Sequence, residues 1–342
     1  MLSLIRTRGQ HLLNTKIQRR NNKTLRLDEL HHFFIHEGMR EDMRGPKQLK
    51  IFLAEQRKNF RKTTKALKKF FDREDLVNPY ADTRVLCGDP QAEIKTILVG
   101  IDIGIGELLW ANELARQGKK IDLVLAHHPE GLGLAGLAQV MALQIDWLVR
   151  LGLDKKVAKE LMEKRMEEVG RSVHADNHQR VVDVARQLGL ALACCHTPAD
   201  NHVAAYLQKI MDTKKPKTLT HIVDLLCQEP EYQMAAAMKS GPRVVVGKPK
   251  DKAGKVVIDM TGGTEGSRDV FARLSQAGVA TVIGMHMSEG HIKQVKNEYI
   301  NVVIAGHIAS DNIGLNLLLD KLQRRVKGVE ILECSGFRRV RR

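Results

Sequence analysis

Histidine and aspartate side chains follow several apolar segments of this sequence, each at the point where the segment ends. They are His127 and His128 after 121–126, His196 and Asp200 after 190–194, His286 after 279–285, and His307 and Asp311 after 300–305. Imidazole and carboxylate groups are the ligands that Zn, Mn and Fe(II) share. Because ligands bind beyond the carboxyl ends of strands in parallel α/β sheets, these residues predict a catalytic metal site. The alternative is that each polar residue only satisfies hydrogen bonds where its strand ends.

His307 and Asp311 are four residues apart, where a predicted strand passes into a predicted helix over 313–324. On one helical turn the two side chains would face the same way, so a single metal ion could bind both. The alternative is that Asp311 only caps the helix that follows it.

A glycine-rich loop, Thr261-Gly262-Gly263-Thr264-Glu265-Gly266-Ser267, lies between a predicted strand and a predicted helix over 268–277. Backbone N–H groups in such a loop can hold an anion. The loop matches neither the P-loop nor the dinucleotide-binding pattern. Gly262, Gly263 and Gly266 are therefore either part of an anion site or only a tight turn.

The elements that must position these residues alternate between strand and helix. A buried strand at 96–101, a helix at 107–118 and a second strand at 121–126 form a βαβ unit, which implies a parallel sheet. The segment Val-Leu-Ala-His-His at 124–128 is echoed by Val-Ile-Ala-Gly-His at 303–307. We therefore predict an α/β fold of two related α/β halves, with mainly parallel sheets around a shared metal site.

The charge of the chain is concentrated towards its ends. The net charge is +15, of which residues 1–75 contribute +10 and the last five residues +4. We predict a polar, irregular segment over 1–45 and a basic amphipathic helix over 47–75, which either docks on the body or contacts nucleic acid. The basic ends could contact phosphate, as in nucleic acid, or a membrane surface, or could only keep the protein soluble.

Composition excludes several classes of protein. No apolar run reaches the ~18 residues of a membrane span. Five cysteines without a C-x-x-C motif exclude a disulfide scaffold and a thiolate zinc site, and aromatic residues at 4% make a base-stacking surface improbable. We expect a cytoplasmic protein. The first 27 residues contain no acid and several arginines, which leaves a mitochondrial location as the alternative.

At these residues the chain resembles the Nif-three-like family, many of whose members are described as GTP cyclohydrolase I type 2 homologues. The resembling segments lie at 85–90, 97–102, 123–129, 196–200 and 305–311, within about 75–335. The resemblance implies a site for two divalent metal ions, Zn, Mn or Fe, inside a toroidal homohexamer. Its ligands would be His127, His128, Asp200, His307 and Asp311.

Compared with this family, the chain is expected to divide into three parts. Residues 1–75 form a basic N-terminal extension, and 76–335 form the α/β domain with halves at about 76–215 and 240–335. A helical insertion is expected at 136–170, and 336–342 form a basic tail. In the family's last motif the usual glutamate is Asp311 here.

Two functions fit these features. The first is a dinuclear metal-dependent hydrolase acting on a small anionic or nucleotide-like substrate, of which GTP ring-opening is one instance. Glu265, His291, His174 and His178 are candidates for proton transfer. The second is a non-enzymatic metal-binding scaffold for delivery or regulation, whose basic arms contact a partner or nucleic acid.

Overall fold

The computed structural model describes residues 24–342, and the strands of this part form three sheets. The strands are β1 (Leu25–Arg26), β2 (Arg84–Cys87), β3 (Glu93–Ile94), β4 (Thr96–Gly100), β5 (Leu123–Ala126), β6 (Leu192–Cys194), β7 (Arg243–Val246), β8 (Lys255–Asp259), β9 (Val279–Gly284), β10 (Asn301–Ile304) and β11 (Glu330–Glu333).

Helices surround the sheets. They are α1 (Leu27–Glu41), α2 (Gly45–Lys62), α3 (Lys65–Lys68), α4 (Ile105–Arg116), α5 (Gly131–Ala135), α6 (Leu137–Val140), α7 (Ala142–Leu151), α8 (Lys155–His174), α9 (Arg180–Gln187), α10 (Thr197–Lys214), α11 (Leu219–Leu226), α12 (Pro230–Ala237), α13 (Phe271–Gln276), α14 (Glu289–Asn297) and α15 (His307–Arg325), with 3-10 turns at Arg73–Leu76 and Arg268–Val270. No helix within 24–342 is long and apolar enough to cross a membrane.

The larger sheet has the strand order β11-β4-β5-β6-β2. All neighbours are parallel except β2, which runs antiparallel to β6. All four residues of β5 are buried because helices cover both faces of the sheet. Helix α4 connects β4 to β5, as the βαβ unit predicted.

The smaller sheet has the order β7-β10-β9-β8, with β7 antiparallel to β10 and the other pairs parallel. The predicted α/β class with mainly parallel sheets is therefore confirmed. One strand is placed differently from the expectation. β11, which the sequence places in the second half, pairs in parallel with β4 of the larger sheet.

The N-terminal region differs from the sequence prediction. Residues 1–23 lie outside the described part, and with them most of the segment that suggested a mitochondrial location. The irregular segment expected up to residue 45 is wrong over Leu27–Glu41, which forms α1. Leu27, Leu30 and Phe34 recur at helical spacing and pack in one core with Leu315 and Leu318 of α15. This helical spacing is the signal in the sequence that indicates α1.

The helix predicted over 47–75 is shorter. Helix α2 ends at Lys62 because Thr63 is extended, with ψ of 133°, and α3 and a 3-10 turn follow. The helical stretch predicted over 136–170 forms α6 to α8, with a break between Leu151 and Lys155. Gly152 adopts φ of +114°, and Asp154 caps α8 by accepting hydrogen bonds from two backbone N–H groups.

Candidate metal centre

The carboxyl ends of strands from both sheets meet at one cleft. His127 and His128 follow β5 of the larger sheet, and His307 follows β10 of the smaller sheet. Asp200 lies in the first turn of α10, directly after β6. The chain therefore brings polar residues from two sheets to one place, as expected for parallel α/β sheets.

Helix α15 begins at His307, six residues before the predicted start. Asp311 therefore lies inside the helix, and the interpretation that it only caps a following helix is wrong. Its carboxylate faces the same side as His307, with 3.6 Å between His307 Nε2 and Asp311 Oδ2.

Asp311 stands between two groups of side chains. Its Oδ1 lies 3.4 Å from His127 Nε2, which is also 3.4 Å from Asp200 Oδ1. Its Oδ2 lies 3.5 Å from His128 Nε2, on the side of His307. Asp311 forms one group with His127 and Asp200 and another with His128 and His307. Within each group the ligand atoms lie within 4.8 Å of one another.

The buried acceptor atoms of this cluster test whether a metal ion fits. His127 Nδ1 donates to the Cys195 carbonyl at 3.1 Å, so in the neutral ring, the form that a metal ion binds, Nε2 presents a lone pair towards the carboxylates. Within the described residues, His127 Nε2, Asp200 Oδ1 and both oxygens of Asp311 are buried without a hydrogen-bond partner. Such a concentration of acceptors is costly unless a cation neutralises it. The donor set therefore fits a metal ion.

The electrostatics of the cluster favour positive charge at its centre. Burial would lower the pKa of His127, but Asp311 and Asp200 raise it well above its usual value. Burial would raise the pKa of Asp311, but His127, His128 and His307 hold it far below its usual value. Burial and neighbouring imidazoles lower the pKa of His307 against the pull of Asp311, which favours the neutral ring that a metal ion requires.

Two carboxylates that the predicted ligand set did not include, Asp102 and Asp82, orient histidines of the site. Asp102 accepts from His128 Nδ1 at 2.6 Å. Asp82 is buried, and it accepts from His196 Nδ1 at 2.9 Å and from the Thr197 hydroxyl at 2.6 Å. Metal-binding histidines are commonly held in this way by a carboxylate.

His196 belongs to the cluster itself. Its Nε2 lies 3.6 Å from Asp200 Oδ2, and it forms a group of converging nitrogens with His127 and His128. The four-residue spacing to Asp200 was a usable signal for His196. No local pattern connects Asp82 to a histidine 114 residues away.

Glu265 and His291 line the same open cleft of about 600 Å³ as Asp200 and His307. Glu265 Oε1 accepts from the Ser288 backbone at 2.6 Å and lies 3.3 Å from His286 Nδ1. Burial would raise the pKa of Glu265, but His286, Ser288 and His291 lower it to about 2. The His286 ring in turn lies 4.8 Å from that of His307.

The other two candidates for proton transfer lie elsewhere. His174 is exposed at the end of α8, and neither it nor His178 lines the cleft. The structure therefore does not bring these two histidines to the cluster.

The glycine-rich loop is held in place by α7. Gly262 and Gly263 adopt φ near +90°, and Gln144 Nε2 donates to the carbonyls of Gly262 and Thr264 at 2.8 and 2.7 Å. Gly263 and Gly266 line the cleft. The helix predicted to open after this loop is only a 3-10 turn followed by the six-residue α13, so the loop does not lead into a long helix whose dipole would favour an anion.

Comparisons with known proteins found a matching family model and similar solved structures. The family model of Duf34/NIF3 (NGG1p interacting factor 3) matches residues 166–336. The NIF3 superfamily protein from Sphaerobacter thermophilus is 28% identical with a TM-score of 0.65, covering 75% of this chain and 91% of that chain. Reduced HcgD from Methanocaldococcus jannaschii is 15% identical with a TM-score of 0.45, covering 78% and 94%. A search of curated proteins found no match.

Proposed function

Because the chain belongs to the Duf34/NIF3 family and carries a buried His/Asp cluster, we propose that it is a dinuclear metal-dependent hydrolase. The substrate would be a small anionic or nucleotide-like molecule. The observation that carries the proposal is the convergence on Asp311 of buried nitrogen and oxygen atoms that have no hydrogen-bond partner among the described residues.

The two groups around Asp311 would each hold one divalent ion. His127 and Asp200 would hold the first, His128 and His307 the second, and Asp311 would contribute one oxygen to each. This mixed nitrogen and oxygen set suits Zn, Mn or Fe. Such a pair of ions lowers the pKa of bound water and stabilises negative charge that develops on the substrate.

The protein's own residues would orient the metal ligands and transfer protons. The Cys195 carbonyl and Asp102 fix the rings of His127 and His128. Glu265, with a pKa of about 2, is ionised at neutral pH, so it serves as an acceptor and not as a proton donor. His291 Nε2 donates to the Gly266 carbonyl at 3.0 Å, so Nδ1 of the neutral ring accepts from the Ser288 hydroxyl at 2.7 Å. This residue is the better candidate for proton transfer.

The cleft would receive the substrate. Residues of the His/Asp cluster and of the glycine-rich loop line it together. The loop with Gly262, Gly263 and Gly266 would approach an anionic group of the substrate. GTP ring-opening is one reaction of this class, so GTP belongs in any substrate panel.

Assembly and location follow from the family resemblance and from chemistry. We propose a homohexamer, as the resemblance implies. All five cysteines are free, which fits the reducing cytoplasm that we propose as the location.

A matched pair of variants tests the metal site. The tetrapeptide Ala-Asp-Asn-His occurs at 175–178 and at 199–202, so Asp176→Asn is a control for Asp200→Asn. We expect about two metal ions per chain in the wild type and in Asp176→Asn, and a loss in Asp200→Asn, measured by elemental analysis of untagged protein. Equal metal content in all three proteins would reject the site.

Turnover separates the hydrolase from the scaffold. Metal-dependent product release from GTP, other nucleotides or phosphodiesters is expected for the wild type and not for Asp200→Asn. Tightly bound metal without turnover on any of these substrates would favour the second candidate, a metal-binding scaffold.

A further inference from the structure

The outer surface of α2 and α3 carries an uninterrupted set of basic side chains, which we call the basic face. Residues 45–71 contain nine basic residues and one acid, Glu55. The basic face consists of Lys47, Lys50, Arg57, Lys58, Arg61, Lys62, Lys65, Lys68 and Lys69. All are exposed except Lys68, which is half-buried.

The basic residues of α2 share one side of the helix. At 100° per residue, the six from Lys47 to Lys62 fall within an arc of about 140° and extend along about 23 Å. Leu49 and Leu53 are buried on another side, where α2 contacts α1 and the turn Arg73–Leu76. Packing therefore holds α2 with its cations outward.

The charges of the basic face are unpaired. None of the nine residues forms an ion pair with any residue of 24–342, and residues 1–23 contain no Asp or Glu. Helix α8 provides the contrast, because Lys156 pairs with Glu160 and Lys159 with Glu163. A solvated helix face normally alternates charge in the manner of α8, so the basic face is matched to an external anion.

The shape of the charge selects the kind of anion. We propose that the basic face binds the phosphate backbone of a nucleic acid. A line of cations about 23 Å long with one acid complements a linear polymer whose charges all have one sign. An acidic protein surface presents charges of both signs and therefore complements the basic face less well. The basic face of a second copy of this chain would repel it.

A membrane surface fits less well because of how α2 uses its apolar side. Interfacial helices bury that side in lipid, whereas Leu49 and Leu53 of α2 are buried in the protein. Among residues 24–342, the large apolar side chains that are exposed near the basic face are Ile51, Leu67, Phe70 and Val77. Contacts to phosphate alone predict binding that is insensitive to base sequence.

The C-terminal tail is less suited to this role than the sequence implied. Arg342 donates to Glu229 and Glu231 at 2.6–2.9 Å, and Arg339 donates to Asp320 and Asn316. These two arginines are therefore neutralised within the molecule. The tail therefore offers fewer free cations than the basic face.

Two fourfold variants of the full chain test the proposal. The first changes Lys50, Lys58, Arg61 and Lys62 to Gln, since none of these four side chains makes a hydrogen bond or ion pair with a described residue. The control changes Lys155, Lys156, Lys159 and Lys164 of α8 to Gln and removes the same charge. Binding of fluorescent duplex DNA and single-stranded RNA of unrelated sequences is measured by anisotropy between 50 and ~300 mM salt.

We expect wild type and control to bind with a steep salt dependence. The basic-face variant should bind about tenfold or more weakly, with a log–log salt slope shallower by about 3 to 4 for duplex DNA. Metal content and circular dichroism should remain at wild-type values, which separates this result from a failure of the metal site or of folding.

Three results would overturn the proposal. Equal loss in both variants would mean that binding follows total charge. No binding by the wild type would remove the partner. Binding to anionic phosphatidylserine vesicles without binding to nucleic acid would assign the face to a membrane surface.

Discussion

At the scale of single residues, Asp311 stands at the centre of the His/Asp cluster. Its two oxygens face different histidines, Oδ1 towards His127 and Oδ2 towards His128 and His307. The shorter aspartate in place of the family's usual glutamate thus still reaches both groups, because α15 begins at His307 and turns the carboxylate inward.

This position gives a stoichiometric prediction. Asp311→Asn should lose both metal ions, because it removes the charge that both groups share, whereas His307→Asn should lose only one. Elemental analysis of the two variants and the wild type checks this. Retention of one full equivalent in Asp311→Asn would show that the groups do not share this carboxylate.

At the scale of elements, α1 is fastened to α15 by a buried carboxylate. Glu37 Oε1 accepts from Arg325 at 2.6 Å, and Oε2 lies 3.6 Å from Lys321. Burial would raise the pKa of Glu37, but His36, Arg325, Lys321 and Arg40 lower it to about 2. The ionised form therefore stabilises the docked helix.

The pH dependence follows from the lowered pKa. The contribution of Glu37 to the free energy of unfolding is fully present above pH 4.5, the ordinary pKa, and is lost as the pH falls towards 2. Glu37→Gln should destabilise the protein by about 1–3 kcal/mol at pH 7, with a smaller difference from the wild type at pH 4. Urea unfolding at both pH values measures this.

Glu41→Gln is the matched control for Glu37→Gln. Glu41 contacts Lys321 on the same helix pair, but its side chain is 34% exposed against 2% for Glu37. Its replacement should cost no more than about 1 kcal/mol. A control that destabilises as strongly as Glu37→Gln would contradict the argument from burial.

The loop between β8 and α13 depends on glycine for two reasons that can be separated. Gly262 has φ of +92°, and a Cβ there would lie 2.9 Å from Gln144 Cγ. Gly278, which lies outside this loop between α13 and β9, serves as a comparison. It has φ of +78°, and a Cβ placed there would have no atom within 4 Å. Gly278→Ala should cost about 1–2 kcal/mol for the backbone alone, and Gly262→Ala more, as measured by thermal unfolding. Equal costs would mean that Gln144 moves aside freely.

At the scale of the whole molecule, the His/Asp cluster contains residues that follow strands of both sheets. His127 and His128 come from the larger sheet, and His307 follows the smaller one. A bound ion would therefore stabilise the packing of the sheets against each other, in addition to any role in catalysis.

Chelation tests this coupling. Removal of metal with EDTA should lower the Tm of the wild type by several degrees, because ligand binding to the native state adds to its stability. Asp311→Asn should show a low Tm that EDTA does not change further. A wild-type Tm unaffected by complete metal removal would mean that the cluster folds independently of the ion.

The sequence by itself determined the elements whose signals are local. Apolar runs such as 121–126 predicted buried strands, and the four-residue spacing of His307 and Asp311 predicted one helical face. The α/β class, the parallel sheets and the family followed from such signals. The helix at Leu27–Glu41 carried the same kind of signal, and its high charge concealed it.

Only the tertiary structure decided which distant residues meet. The contact of Asp82 with His196, the pairing of β11 with β4 and the neutralisation of Arg342 by Glu231 each join positions far apart in sequence. No periodic pattern in the sequence indicates these contacts, because they depend on how helices and strands that are distant in sequence pack against one another. Likewise, His174 resembled a site residue in sequence, and only packing left it exposed.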